Sequence, residues 1–173
     1  SRNERLSRPW AIPGTPGLQH RVGGLEKQHL TGNVSYDSNN HEVMVKLRQE
    51  KVQGIQNDIP LLQVHGDTEG ELLIVGWGST YGAIATAVEK ARQAGKPVSS
   101  IHLKYLYPFP KNLGDILSKF NKILVPEMNL GQLKHILQAQ YLIPMNGLNK
   151  VKVRPFQVHE IVEAIDNALE EKE

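Results

Sequence analysis

Residues 72–77 read Leu-Leu-Ile-Val-Gly-Trp, a run without one charged or hydrogen-bonding aliphatic side chain. It is too short for a buried helix, and a strand apolar on both faces has to be covered on both. That demands a parallel sheet between layers of helices, and the rest of the chain reads the same way. After the run, Tyr81, Ile84, Ala85, Val88 and Ala91 recur at helical spacing until Gly95 and Pro97 stop the helix. "VSSIHLKYL" alternates as a second strand ending at "YPFP", and Asn112 offers a cap for a short helix with Leu113, Ile116, Leu117 and Phe120 inward. "KILVPEM" is a third strand. A helix over about 130–142 is expected to bury Leu130, Leu133, Ile136, Leu137 and Tyr141. "NGLNKVKVRPFQ" reads as a turn and a short edge strand, because Pro155 has no N–H for a central ladder. A last helix places Val158, Ile161, Val162, Ile165, Ala168 and Leu169 on one face. The expected fold over residues 71–173 is therefore α/β, a three-layer α/β/α sandwich with a mostly parallel sheet of about five strands.

The first 70 residues follow another pattern. Residues 1–40 are rich in Gly, Pro and Asn with sparse, aperiodic apolar positions, so they read as an irregular docking arm that cannot build a core alone. Longer than an ordinary loop, residues 1–35 are expected to pack poorly on their own domain or to be borrowed into a homodimer contact. Asp37, Ser38 and Asn39 offer N-caps for a docking helix over 41–58, whose apolar stripe of Met44, Leu47, Val52 and Ile55 is narrow. Residues 59–70 are a linker.

Charge and composition exclude several classes. The formal net charge is +2, with no dense Lys/Arg run and only 6% aromatic residues, which argues against a nucleic-acid surface. With no cysteine, the chain has no disulfide, no thiol nucleophile and no Cys-ligated iron–sulfur cluster of its own. No apolar run approaches the roughly 20 residues that span a bilayer, so no membrane partner is expected and the setting is read as cytoplasmic. The chain begins Ser1-Arg2-Asn3 without Met, which suggests a piece of something longer.

The glycine-rich "GWGSTYG" invites two readings. Gly76 and Gly78 have the GxG spacing of a phosphate cradle, but the third glycine is Gly82, one residue late for the dinucleotide fingerprint, and no acidic residue closes the next strand. In the other reading, Gly76 and Gly78 permit a tight turn, Ser79 or Thr80 caps the helix, and Gly82 lets helix approach strand. Glu127 ends the third strand at the carboxyl edge, where α/β proteins usually place function; it either serves there or receives N–H bonds from the next helix. The seven histidines show no metal-ligand spacing, so no metal site is expected. His20 and Arg21 lie in the arm, where a ligand-facing or docking role competes with plain solvation.

Together, "LLIVGWGSTYGAI", "VSSIHLKYLYPFP" and "KILVPEMNLGQL" resemble the C-terminal domain of thiamine-diphosphate enzymes of the transketolase type. Nearly the whole chain, including "SRPWAIPGTPGLQHRVGGLEKQHLTGN" and "YDSNNHEVMVKLRQEKV", resembles the end of the alpha subunit of 2-oxoacid:ferredoxin oxidoreductases, the 2-oxoglutarate type in particular. The resemblance implies a parent enzyme that decarboxylates a 2-oxoacid on thiamine diphosphate and Mg2+, passes electrons through a 4Fe-4S cluster to ferredoxin and forms an acyl-CoA. It implies as partners a pyrimidine-binding domain of the same subunit and a separate beta subunit, which hold the cofactors. No diphosphate or cluster motif lies in this chain, so no catalytic, cofactor or metal residue is carried onto it. On this reading the chain is a non-catalytic part. His20, Arg21, Gly76, Gly78, Ser79, Thr80, Tyr107, Glu127 and Asn129 are its candidate interface or active-site-entrance positions. A free-standing Rossmann-like nucleotide- or CoA-binding domain is the alternative.

Overall fold

The structure is a computed structural model that describes residues 2–170. The chain forms two compact units, the first ending at Ile59 and the second beginning at Pro60.

In the first unit one helix, α1 (Ser38–Gly54), is followed by a 3-10 turn, Ile55–Asp58. Of the three cap candidates, Asp37 does the capping: its carboxylate accepts the Asn39 N–H at 3.1 Å, while Ser38 and Asn39 lie inside the helix. Among the described residues of this unit, Asn40 and Ile59 alone are buried. Asn40 works as a polar rivet, its Oδ1 accepting the His29 N–H at 2.9 Å and its amide donating to the Lys27 carbonyl at 3.1 Å. The arm is thus tied to α1 by hydrogen bonds rather than by apolar burial, as its aperiodic sequence requires.

The second unit contains β1 (Gly70–Trp77), α2 (Tyr81–Gln93), β2 (Val98–Leu103), α3 (Leu113–Leu117), β3 (Phe120–Glu127), α4 (Gln132–Tyr141), β4 (Asn146–Asn149) and α5 (Val158–Glu170). The sheet order is β2-β1-β3-β4 and every strand pair is parallel. Among the described residues it has four strands, one fewer than expected: "NGLN" pairs with β3, but "KVKVRPF" leaves the ladder. In place of a fifth strand, His65 of the linker makes an antiparallel bridge to Ser100 on the outer edge of β2.

Alternation in the strands separates two cores. Leu73 and Val75 of β1 join Ile123 and Val125 of β3, packed with α3 and α4 residues Leu113, Leu117, Leu133 and Leu137. Leu72, Ile74 and Leu124 point to the other face, against Ile84, Ala87 and Val88 of α2 and Ile161 and Ile165 of α5. Both faces of β1 are covered, which is why its sequence carries no polar side chain over residues 72–76. Several helix positions differ from the periodic reading. Leu130 and Ile136 are exposed, and α4 is anchored by Leu133 and Leu137 alone among its fully buried residues. On α2, Ala87 takes a buried place and Tyr81 is 61% exposed. Asn112 does not cap α3; its side chain exchanges two hydrogen bonds with the Leu62 backbone, at 3.0 and 2.9 Å, and holds the linker against this unit. Phe120 is buried as the first residue of β3, beyond the end of α3.

Candidate functional site

Because the strands are parallel, β1, β2 and β3 release their following loops along one rim. Three of these segments carry most of the candidate residues: the turn after Trp77, residues 104–110, and residues 128–131.

At the first, Gly76 is not in the turn but inside β1, opposite His102 of β2. A Cβ there would lie 2.5 Å from Ile84 Cδ1 and 3.2 Å from His102 Nδ1, so Gly76 is the residue that lets α2 approach the sheet. Gly82, to which the sequence pattern assigns that task, is exposed, and a methyl group added to it would have no neighbour within 4 Å. Gly78 makes the turn, at φ +57°. Ser79 is exposed on it. Thr80 is buried and does not cap α2; its hydroxyl donates to the Trp77 carbonyl at 2.8 Å and accepts the Trp77 N–H at 3.3 Å, closing a 3-10 turn before the helix. The turn therefore has a complete structural rationale in packing and local hydrogen bonding.

Glu127 is fully buried at the end of β3. Its Oε1 accepts the Leu133 N–H at 2.8 Å and its Oε2 the Lys134 N–H at 3.1 Å. Asn129 completes the set: its Oδ1 accepts the Gly131 and Gln132 N–H groups at 2.7 and 3.0 Å, and its amide donates to Glu127 Oε1 at 3.2 Å. The first N–H groups of a helix lack intrahelical partners, and here two side chains satisfy those of α4 while the carboxylate meets the positive end of the helix dipole. Both oxygens of this carboxylate are thus engaged by N–H donors of the α4 start and of Asn129. Tyr107, 65% exposed, precedes the cis Tyr107–Pro108 bond between β2 and α3. His20 and Arg21 belong to the other unit, where His20 Nδ1 donates to the Leu18 carbonyl at 2.8 Å.

One feature near the rim lies outside the sequence reading. A cavity of about 610 Å³ is bounded by the linker, the start of α2 and the end of β2, with His102, Lys104, Tyr81 and Tyr105 in its wall. The Tyr81 ring meets the His102 imidazole edge-on at 5.0 Å between centroids. Burial, and then the charge of Lys104, push the His102 imidazole below its ordinary range, and its Nδ1 is buried without a hydrogen-bond partner. The signal was present as a histidine in a strand otherwise mostly buried, but a one-dimensional pattern does not reveal that the linker, α2 and β2 leave a cavity beside it.

Among the described residues no group of three or more His, Asp or Glu side chains is placed to hold a metal ion. The absence of cysteine leaves no thiolate for a cluster. No helix among the described residues is long and apolar enough to cross a membrane.

A family model described as pyruvate:ferredoxin oxidoreductase core domain II matches residues 70–161. The 2-oxoglutarate oxidoreductase subunit KorA of Mycobacterium tuberculosis is 48% identical over 167 residues, 96% of this chain and 25% of that protein. The 2-oxoacid:ferredoxin oxidoreductase 1 alpha subunit of Aeropyrum pernix is 30% identical over 148 residues, 78% of this chain and 22% of that one. Among solved structures, a 2-oxoglutarate:ferredoxin oxidoreductase from Magnetococcus marinus, with 2-oxoglutarate, coenzyme A and succinyl-CoA bound, aligns at a TM-score of 0.90. It is 29% identical, and the alignment covers 98% of this chain and 30% of that one. The chain thus spans about a quarter of the length of the curated relatives it matches.

Proposed function

The chain belongs to the pyruvate:ferredoxin oxidoreductase core domain II family, within the alpha subunits of 2-oxoacid:ferredoxin oxidoreductases, and from that premise we propose that it serves assembly and the active-site entrance rather than the chemical step. The proposed parent reaction is oxidative decarboxylation of a 2-oxoacid, 2-oxoglutarate first, to an acyl-CoA in the cytoplasm. Thiamine diphosphate, Mg2+ and a 4Fe-4S cluster belong to the rest of that enzyme, and ferredoxin takes the electrons. The partners we propose for this chain are the pyrimidine-binding domain of the same subunit and the beta subunit.

One observation carries the reading. The buried carboxylate at the carboxyl edge of the sheet, Glu127, accepts three hydrogen bonds from N–H donors of α4 and Asn129, which suits a structural joint. Among the described residues, none on the rim forms a nucleophile–base pair with it. What the rim presents outward is instead Ser79, Tyr107 and Leu130, exposed groups suited to contact with another protein surface. Packing at Gly76 and the Thr80 hydroxyl account for this strand-to-helix joint, which favours a structural role for it over a nucleotide cradle.

Calorimetric titration of the chain with NAD, ATP, coenzyme A and thiamine diphosphate tests this. No saturable binding at the "GWGSTYG" turn is expected, and no thiamine diphosphate is retained. Micromolar binding of a nucleotide abolished by a substitution at Gly78 would overturn the reading in favour of a nucleotide-binding domain.

A further inference from the structure

The arm unit carries a second, open cavity of about 920 Å³. Its wall contains five cationic side chains, Arg2, Arg8, Lys27, Arg48 and Lys51, against one carboxylate, Glu26. That carboxylate is already engaged by His41 at 2.7 Å and by Arg48 at 3.6 Å.

The buried part of the positive charge has neutral acceptors. Arg2 donates to the Leu6 carbonyl at 3.0 Å and Arg8 to the Gln28 carbonyl at 2.7 Å, and both guanidinium groups reach the same sulfur, that of Met44, at 3.4 and 3.9 Å. The Nε of Arg2, the Nε of Arg8 and the Nζ of Lys27 are closed off from solvent without a hydrogen-bond partner. Burial, and then the neighbouring charge of Arg2, hold the Arg8 guanidinium below its ordinary range. These three side chains are partly exposed, yet each keeps one buried nitrogen without an acceptor, and their positive charge outweighs the single carboxylate of Glu26 in the same wall. Arg48 and Lys51 stand at the same opening but keep contact with solvent, so they can meet a ligand directly. Trp10 and Ile12, 94% and 71% exposed, add apolar surface beside them.

We propose that this cavity is a binding site for a small organic ligand bearing a multivalent oxyanion, phosphate or carboxylate. Arg48 and Lys51 contact its charged oxygens, Arg2, Arg8 and Lys27 supply the field, and Trp10 and Ile12 cover its apolar part. Arginine forks suit both oxyanions, so the two sources are separated by experiment. The assignment rests on the charges of the arm alone and stands or falls independently of the assembly role proposed for the rim.

The test is calorimetric titration of the 173-residue chain with pyrophosphate and, separately, with citrate at about 0.15 M salt. One saturable site for at least one of them is expected, and whichever binds more tightly identifies the oxyanion. Arg8→Gln and Lys27→Met should each weaken it by about tenfold or more, while Lys119→Gln, outside the arm, leaves it unchanged. Lys51→Gln, a solvent-facing change that leaves the packing intact, should weaken it by at least about threefold even if the other two variants fold poorly. Amide chemical-shift changes in the unaltered chain should fall within residues 2–59. Saturation by neither anion, an affinity indifferent to Lys51→Gln, or shifts confined to residues 60–170 overturns the site. Capture of an acidic peptide with no binding of either small anion overturns it as well.

Discussion

Glu127 concentrates in one side chain what the strand-to-helix joint needs: an acceptor for two N–H groups and a negative charge at the α4 dipole. Glu127→Gln keeps the size but replaces one accepting oxygen by a donor facing N–H. We expect a loss of about 1.5–3 kcal/mol in urea unfolding, the range for hydrogen bonds to a charged group. In the intact enzyme the same substitution should weaken assembly before it changes the chemical step. A variant that assembles normally yet loses decarboxylation outright would make Glu127 catalytic. Two glycines flanking the neighbouring turn, Gly76 in β1 and Gly82 in α2, predict opposite signs. Gly76→Ala drives a methyl group to 2.5 Å from Ile84 Cδ1 and should destabilise by roughly 1–3 kcal/mol, as overpacking does. Gly82→Ala meets open space on the exposed side of α2 and should stabilise by about 0.5–1 kcal/mol, which thermal unfolding of both variants would read.

At the scale of elements, Lys150 clips the exit of β4 to α5. Its ammonium reaches both Glu160 oxygens at 2.9 and 2.7 Å and the Pro155 carbonyl at 3.1 Å, while Glu160 also accepts the Gln157 N–H at 2.7 Å. The hydrogen bond from Lys150, followed by that from Gln157, holds the Glu160 carboxyl below its ordinary value of 4.5. A folded value lower than the unfolded one means that the clip stabilises above the ordinary value and is lost as pH falls through the folded one. The gap in unfolding midpoint between the parent chain and Glu160→Gln should be widest at neutral pH and close as pH drops below 4.5. A gap independent of pH would show that the clip is not ionic. This contact was invisible in sequence because its partners are ten positions apart across an irregular segment and the start of α5. The strands were legible for the opposite reason: β1 and β3 are buried on both faces, so their composition alone marks them. The helices were legible as elements but not in every inward position. Leu130 precedes α4 rather than belonging to it, and Asn112, a cap by spacing, was taken by the Leu62 backbone. Rim membership followed from strand order, whereas the His102 cavity depended on how the linker passes α2 and the end of β2, which no periodicity encodes.

Over the whole molecule, burial divides after Ile59. Among the described residues, the unit that Ile59 closes has just two that are buried and leaves Trp10, Val22 and Tyr36 more than 80% exposed, while the unit that follows closes two cores around a sheet. Stability should be divided in the same place. Amides of residues 2–35 are expected to exchange within the dead time or shortly after, and those of β1 and β3 only by global unfolding; strong protection throughout the arm in a monomer would contradict this. The sheet itself ends unequally. The outer ladder of β2 is interrupted by the His65 bridge, and that of β4 offers four residues, Asn-Gly-Leu-Asn, before Lys150, Lys152, Arg154 and Pro155 follow. A growing fibre needs a long, flat, uncharged strand to copy, and neither border supplies one. With much apolar surface left bare in the arm, this chain carries at its sheet borders a built-in brake on templated aggregation.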